Sequence, residues 1–349
     1  MSLITGALPA EYGLRTAGII DLTTKSGVIQ AGGPVSLYGG SHGTAQPSFS
    51  YGASSGSLNY FVSGDALRSD LGIESPDGRA NPLHDHTSQI HGFGYLEDIL
   101  DEQNRLSVVV ASSTARFQIP NIAGMEPALG LILNGQSQAA SETLDQNQRE
   151  ITRFGIVSWQ LSNGALNLQT SATARYSSLS FEPDSVGDLL FDGISQNAYK
   201  RNIAYSLQSD AAVTLNAAHT LRTGLFLQSD RSTSATASAV LPVDSSGAQT
   251  SAAPLTISDA AAKSEWIQSL YVQDEWKLDA KLTLNVGLRF DAFTAYASGR
   301  QLSPRMNLVW EAAPGTILHA GYSRYFSPPA FELVGTQSVQ KFAGSKSLK

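Results

Sequence analysis

The sequence predicts an all-β protein whose antiparallel strands cross a membrane as a β-barrel, and three observations support this fold class. Only 15% of the 349 residues are charged, and abundant small and polar residues suit strands and turns better than helices. Apolar and polar residues alternate with period two in successive segments, and the connections between these segments are short and long in turn. No run of about 18 apolar residues occurs, so strands would have to cross the bilayer, which they do only as a closed barrel.

The clearest alternation covers residues 281–292. Its even positions are Leu282, Leu284, Val286, Leu288, Phe290 and Ala292, and its odd positions are Lys281, Thr283, Asn285, Gly287, Arg289 and Asp291. Because side chains on a strand point to opposite faces in turn, this segment has one apolar face and one polar face. Its length is about that of one membrane-crossing strand.

Similar segments are joined in pairs by short turns, which predicts hairpins. The predicted turns are Asn163 with Gly164, residues 216–219, Asp279 with Ala280, and residues 313–315. Much longer polar stretches, residues 72–87, 118–148, 182–198 and 232–262, separate the pairs. Loops this long are unusual in compact soluble domains, whereas outer-membrane barrels have short periplasmic turns and long extracellular loops.

The pattern predicts about thirteen strands after residue 33, with boundaries known only roughly. An odd number leaves an open sheet edge, whereas single-chain bacterial barrels have an even number of strands and close on themselves. The first residues lack the charged and apolar segments of a signal peptide, and the last twelve residues carry no alternating strand. We therefore expect the chain to be truncated at both ends.

Aromatic residues gather near the predicted strand ends. The group consists of Trp266, Trp276, Trp310, Tyr322, Tyr325 and Phe326. Packing in a protein core explains any one of them equally well. Together with the alternation, the group predicts an aromatic girdle at the level of the lipid headgroups.

Composition also excludes several function classes. The net charge of -7, without clustered Lys and Arg, argues against a nucleic-acid partner. The absence of cysteine excludes a disulfide framework, a thiolate metal site and a cysteine nucleophile. We predict no catalytic, cofactor-binding or metal-ligating residues, and no enzymatic activity.

Three motifs have the residue types of a functional site, but each has a simpler explanation. Residues 39–43, GGSHG, match the serine hydrolase pattern around Ser41, but a strand-like run follows instead of the required helix, which favours a glycine-rich loop. His84, His86 and His91, with Asp85, offer metal ligands, although a solvated loop explains them better. The carboxylates of a predicted periplasmic turn, Asp98, Asp101 and Glu102, favour a solvated turn over a calcium site.

Residues 4–27, ITGALPAEYGLRTAGIIDLTTKSG, resemble the end of the plug domain of TonB-dependent receptors of the Gram-negative outer membrane. The resemblance rests on the Ala10-Glu11-Tyr12-Gly13 core and on the later strand that ends in Thr24-Lys25. Four further segments, residues 270–278, 284–293, 303–310 and 322–332, are similar to barrel strands of this family.

The resemblance implies a plug remnant at residues 1–32 and the first part of a transmembrane barrel at residues 33–349. Plugged transporters have about 22 strands, so about nine would be missing. It further implies outer-membrane localisation in contact with lipid, and uptake of a small ligand such as a metal chelate, a cobalamin or a glycan. A TonB-type complex would supply energy through a contact box that this chain lacks. Asn285, Arg289 and Asp291 would face the lumen and plug.

Two alternatives of other classes stay open at this point. A passive porin or adhesin-type barrel shares the alternation but has no reason to carry the plug-like residues 4–27. A soluble β-sandwich or lectin-like binding module requires a second sheet that covers the apolar face.

Overall fold

The computed structural model describes residues 2–14, 18–21, 31–73, 75–80, 82–295 and 297–328. Strands dominate these residues. Helical structure within them is confined to a 3-10 turn at Ser141–Thr143 and a five-residue helix, α1, at Gly187–Phe191. None of the helices in the described part of the chain is long and apolar enough to span a membrane.

In chain order, the strands are β1 Ser2–Thr5, β2 Gly18–Asp21, β3 Val35–Gly39, β4 Ala45–Ser55, β5 Leu58–Ser69, β6 Thr87–Ile99, β7 Asn104–Gln118, β8 Asn147–Asn163, β9 Leu166–Glu182, β10 Ile194–Thr214, β11 His219–Val240, β12 Leu255–Lys277, β13 Leu282–Thr294, β14 Ser298–Ala313 and β15 Thr316–Ser323.

Strands β3 to β15 form one antiparallel sheet of thirteen strands. Each strand pairs with its neighbours in the chain, because each connection reverses the chain direction and places consecutive strands side by side. β1 and β2 form a separate two-stranded sheet. The predicted all-β antiparallel class and the expected thirteen strands after residue 33 are both confirmed.

Short turns lie where the sequence predicted them, at one end of the sheet. The turn between β10 and β11 is closed by the Asn216 side-chain oxygen, which accepts hydrogen bonds from the N–H groups of Ala218 and His219 at 2.8 and 3.1 Å. Asp279 closes the next turn by accepting the N–H of Lys281 at 2.7 Å. Such side-chain caps explain why Asn and Asp mark these positions.

The opposite end carries the long connections, residues 70–86, 119–146, 183–193 and 241–254. The first two agree closely with the predicted loops. The loop predicted at residues 232–262 is present but its bounds are wrong, because β11 and β12 stay paired from Ser232 and Lys263 to Val240 and Leu255. The loop predicted at residues 182–198 is also shorter, since β10 begins at Ile194. Ser, Thr and Ala occupy both faces of these extensions, so the backbone ladder continues without any alternation in hydropathy.

Three long connections share a small apolar core. Leu131 and Leu133 come from residues 119–146, Leu189 and Leu190 from α1, and Leu241 from residues 241–254. The Gln249 side chain links two of the connections, accepting the N–H of Ile132 at 2.7 Å and donating to its carbonyl at 2.8 Å. These connections are therefore packed together.

The thirteen-stranded sheet is apolar outside and polar inside. We call the face that contacts residues 6–13 the inner face, and the other the outer face. On β13, Val286, Leu288 and Phe290 are 44%, 40% and 38% exposed on the outer face, whereas Arg289 and Asp291 are 4% and 0% exposed on the inner face. The predicted period is confirmed. Within the described residues no second sheet covers the outer face, which removes the β-sandwich alternative.

The aromatic group divides between the two faces. Trp266, Trp276, Trp310 and Tyr322 are exposed on the outer face, as predicted for a girdle. The prediction is wrong for Tyr325 and Phe326. The chain leaves β15 after Ser323, so period two no longer applies, and Tyr325 bonds to residues 6–8 on the inner side while Phe326 packs on Phe293.

Candidate functional site

The candidate site is the contact between the N-terminal segment, residues 6–13, and the inner face of β12 to β15. Leu8 and Ala10 are almost completely buried there. We call the thirteen-stranded sheet the wall. A glycine of the wall allows the segment to approach it closely, because a Cβ atom at Gly287 would lie 2.8 Å from the Ala10 Cβ. A Cβ atom at Gly13 would overlap the Arg289 guanidinium, which gives the glycine of the Ala-Glu-Tyr-Gly core a steric reason.

Arg305, on β14, makes the largest set of contacts with the segment. Its Nη1 donates to the carbonyl oxygens of Leu8 at 3.3 Å and Pro9 at 2.6 Å, and also to that of Tyr12. The guanidinium also lies over the Tyr325 ring, with its Cζ 5.0 Å from the ring centroid. One buried cation thus gathers three carbonyl groups of a segment that has no strand partner of its own at this point.

Arg289, on β13, holds the next two residues. Its Nη1 donates to the carbonyls of Ala10 at 3.2 Å and Glu11 at 3.3 Å. Its Nε donates to Asp291 at 2.8 Å, and the same carboxylate oxygen accepts the Ser269 hydroxyl at 2.7 Å. Asp291 therefore compensates the buried charge and fixes the orientation of the arginine. Arg289 and Asp291 lie on the inner face, on the side where the resemblance placed them.

Neutral groups complete the contact. The Ala10 N–H donates to the Gln273 side-chain oxygen at 2.7 Å, and the Leu8 N–H donates to the Tyr325 hydroxyl at 3.0 Å. The Tyr325 hydroxyl in turn donates to the Gly6 carbonyl at 2.9 Å. Donors and acceptors of the segment backbone are thus both met by wall side chains, as burial of a backbone requires.

A second group of charges surrounds Glu11. Its carboxylate lies 3.9 Å from the Arg222 guanidinium, which lies 4.0 Å from Glu275. Asp210 accepts the Tyr271 hydroxyl at 2.8 Å beside them, at a cavity of about 220 Å³. Burial raises the pKa of Glu11, Asp210 and Glu275 raise it further, and Arg222 opposes the rise. Two carboxylates, Glu11 and Glu275, therefore share Arg222, and the Asp210 carboxylate lines the same cavity.

Histidines considered as metal ligands do not converge. His84 bonds to the Glu142 carbonyl at 2.8 Å, His86 to Asp70 at 3.0 Å, and His91, on β6, to Asp65 at 2.9 Å. Asp85 accepts the Ile73 N–H at 2.7 Å. Each group has its own partner, and His84 and His86 lie in the loop before β6.

The other motifs are also placed by the structure. Ser41 lies in the turn between β3 and β4, so the segment after it is a strand and lacks the hydrolase geometry. Asp101 caps the turn between β6 and β7 by accepting the Gln103 and Asn104 N–H groups. Asp98 accepts the Ser57 hydroxyl, and Glu102 is exposed in the same turn.

Arg305, Gln273 and Tyr325 belong to this contact, although the sequence analysis did not assign them to it. A signal for Arg305 was present, because Pro304 and Met306 flank it on the apolar side of the same alternation. Gln273 likewise lies on the polar side of β12. No comparable signal exists for Tyr325, which follows the last strand.

Comparisons with known proteins agree with this architecture. Residues 110–349 match the family model described as TonB dependent receptor-like, beta-barrel, which is more than half of the chain. None of the curated proteins matches the chain.

Three solved structures of similar fold illustrate the likeness. The ferric yersiniabactin uptake receptor FyuA from Yersinia pestis has a TM-score of 0.60 at 14% identity, covering 82% of this chain and 45% of that chain. The ferric-catecholate import receptor Fiu from E. coli K12 has a TM-score of 0.66 at 12% identity, covering 94% and 59%. The copper transporter OprC has a TM-score of 0.69 at 14% identity, covering 94% and 51%. The chain thus spans about half the length of these structures, and such identities show the fold alone.

Proposed function

The chain belongs to the TonB-dependent receptor family, and on that premise we propose that it forms part of an outer-membrane receptor for energy-coupled uptake of a scarce ligand. One observation carries the proposal: a segment of chain is held inside the sheet by Arg289 and Arg305, while the apolar face is bare on the outside. This arrangement suits a barrel in lipid whose lumen is filled by protein.

In this proposal, residues 1–32 are the end of the plug and residues 33–349 belong to the barrel wall. The wall arginines hold the plug end by backbone carbonyls, so the grip depends on the path of the segment more than on its side chains. A TonB-type energy-transducing partner would rearrange the plug and open the lumen. The role needs no covalent step.

The ligand class is a further part of the proposal. The similar structures include proteins named for ferric chelates and for copper. We propose a metal chelate, with cobalamin or a glycan as the alternatives within the same transport role. Polar loops at the long-connection end would make the first contact with it.

The contact between the wall arginines and the N-terminal segment is tested by replacing Arg289 and Arg305 in the intact protein. Arg289→Ala combined with Arg305→Ala removes five hydrogen bonds to the segment. We expect the cell to become permeable to a large antibiotic that normal outer membranes exclude. Arg300→Ala is the matched control, because Arg300 lies on β14 but is exposed on the outer face. Permeability equal to the control in the double variant would contradict the plug role.

Energy coupling separates this proposal from a passive barrel. Collapse of the inner-membrane proton gradient should stop uptake of a radioactive ferric chelate by cells that express the intact protein. Uptake that continues at the same rate would favour the porin alternative.

A further inference from the structure

The outer face carries a group of arginines near the long-connection end. They are Arg68 on β5, Arg116 on β7, Arg149 and Arg153 on β8, Arg201 on β10 and Arg231 on β11. Their direction follows from period two, because neighbours of opposite parity such as Ser69, Ala115, Asn202 and Asp230 are buried on the inner face. We call this set the arginine belt.

Strand register brings the members of the belt together. Arg68 lies opposite Ser88, Ser88 opposite Arg116, and Arg116 opposite Arg149. Residues directly opposite on antiparallel strands have Cβ atoms about 4.5 to 5.5 Å apart, and like charges in such positions repel. Arg116 and Arg149 therefore form an unfavourable pair unless an anion lies between or above them.

The described residues provide no such anion for the belt. Arg79, Arg105, Arg175, Arg222 and Arg289 each have a carboxylate within 4.0 Å, whereas no belt arginine has one within the described parts of the chain. In the described halves of β5 to β11 that lie nearest the long connections, one acidic residue is on the outer face. It is Glu182, at the last position of β9. Five of the six belt arginines are exposed, and Arg201 is half-buried.

The position of the belt is that of a membrane boundary. Arg68, Arg116, Arg149 and Arg231 are each ten positions from an outer-face apolar residue at the short-turn end, namely Leu58, Leu106, Trp159 and Leu221. Ten residues of a tilted strand rise by about 25 Å, which is the height of the apolar band of outer-membrane barrels. Between these levels the outer face presents exposed apolar side chains, including Val110, Val157, Tyr205 and Leu207, together with Arg153, which lies below Arg149 on β8.

An occupant of this surface must therefore combine anionic groups above with apolar chains below. We propose that the arginine belt binds the phosphate groups of an anionic lipid of the outer leaflet, whose acyl chains pack on the apolar band beneath. The guanidinium fork suits phosphate, which it contacts with two parallel hydrogen bonds. Lys200 and Lys263 lie at the same level on the inner face and line a cavity of about 340 Å³, to which Arg201 of the belt also contributes.

The test uses the intact protein purified in a neutral detergent. It is titrated with a bisphosphorylated lipid A, with the same lipid after enzymatic removal of its phosphates, and with inorganic phosphate, and bound lipid is followed by native mass spectrometry. The variant combines Arg68→Gln, Arg116→Gln and Arg149→Gln. The matched control combines Lys200→Gln and Lys263→Gln on the inner face.

The wild type and the control should bind the bisphosphorylated lipid with equal affinity. The belt variant should bind about a hundredfold more weakly, from about fivefold for each arginine at an anionic surface. Arg→Lys at the same three positions should recover part of the loss. Without lipid, the belt variant should unfold at the same temperature as the wild type or higher, since it lacks the like-charge pair.

Three results would overturn the proposal. The belt variant binds the lipid as the wild type does, or the control loses as much affinity as the belt variant. Alternatively, removal of the lipid phosphates leaves affinity unchanged. Full displacement of the lipid by millimolar inorganic phosphate would show a site for free phosphate, which would also reject the lipid assignment.

Discussion

At the scale of single residues, charged side chains on the inner face of the sheet bind backbone carbonyl groups of the N-terminal segment. Arg289 and Arg305 bond to carbonyls of residues 8–12, and Asp291 is the carboxylate bound to Arg289. Removing one partner of a buried ionic group leaves the other uncompensated, which typically costs about 3 to 5 kcal/mol. The strength of the contact thus resides in a few wall side chains.

Glu11 should make this contact dependent on pH. Its pKa is raised from the usual 4.5, mainly by burial, and Asp210 and Glu275 add to the rise while Arg222 opposes it. A carboxyl group with a raised pKa in the docked state favours docking when protonated. That contribution is present below pH 4.5 and is lost as pH rises through the higher docked value.

The rate of proteolysis of the N-terminal segment, measured from about pH 4 to 8, tests this effect, because a raised carboxyl pKa falls within that interval. We expect residues 6–13 to become more susceptible as pH rises in the wild type. Glu11→Gln should remove most of this dependence, because the neutral amide cannot titrate. The same pH profile in the variant would assign the effect to the neighbouring carboxylates instead.

At the scale of elements, strands could be predicted from the sequence where one face carries the apolar residues that suit lipid. Strands whose two faces have similar residues could not be predicted. β13 shows its period in every residue from Leu282 to Ala292. The parts of β11 and β12 near the long connections show no such period, because Ser, Thr and Ala occupy both faces. The two strands are nevertheless paired there, as Ser232 and Lys263 show. Hydropathy reports burial in lipid, whereas the ladder depends on backbone hydrogen bonds.

The candidate site shows the same division. Arg289 was predictable from its place in an alternating strand. Tyr325 was not, since its role depends on where the chain turns after β15 and on a segment more than 300 residues earlier in the sequence. Contacts between distant segments leave no local pattern.

Adjacent positions on β13 provide a direct test of which face meets lipid. Val286→Arg places a cation on the exposed apolar face and should destabilise the barrel by about 2 to 4 kcal/mol near the bilayer midplane. Asn285→Arg places the same charge on the inner face and should be mild. Urea unfolding of the intact protein in lipid vesicles measures both, and equal tolerance would contradict the membrane orientation.

At the scale of the whole molecule, polar contacts dominate inside the wall and the apolar packing is concentrated elsewhere. One apolar core lies in the long connections, where Leu131, Leu133, Leu189, Leu190 and Leu241 pack together. Groups of residues that share a core open cooperatively. We therefore expect residues 119–146, 183–193 and 241–254 to behave as one unit.

Leu190→Ala tests this expectation, because Leu190 is completely buried in the shared core. Leu→Ala at such positions costs about 2 to 5 kcal/mol. Hydrogen exchange should accelerate in all three connections, and the wall strands should be unaffected. Leu129→Ala, at an exposed position of the same connection as Leu131, is the control. Faster exchange confined to residues 183–193 would show that the connections move independently.

The pairing of Gln249 with Ile132 has a consequence for recognition from outside. An antibody or phage protein that binds one of these connections would recognise a conformation that depends on packing against two other, distant stretches of sequence. Its epitope would be lost on denaturation, and escape substitutions would arise in stretches that the binder never contacts.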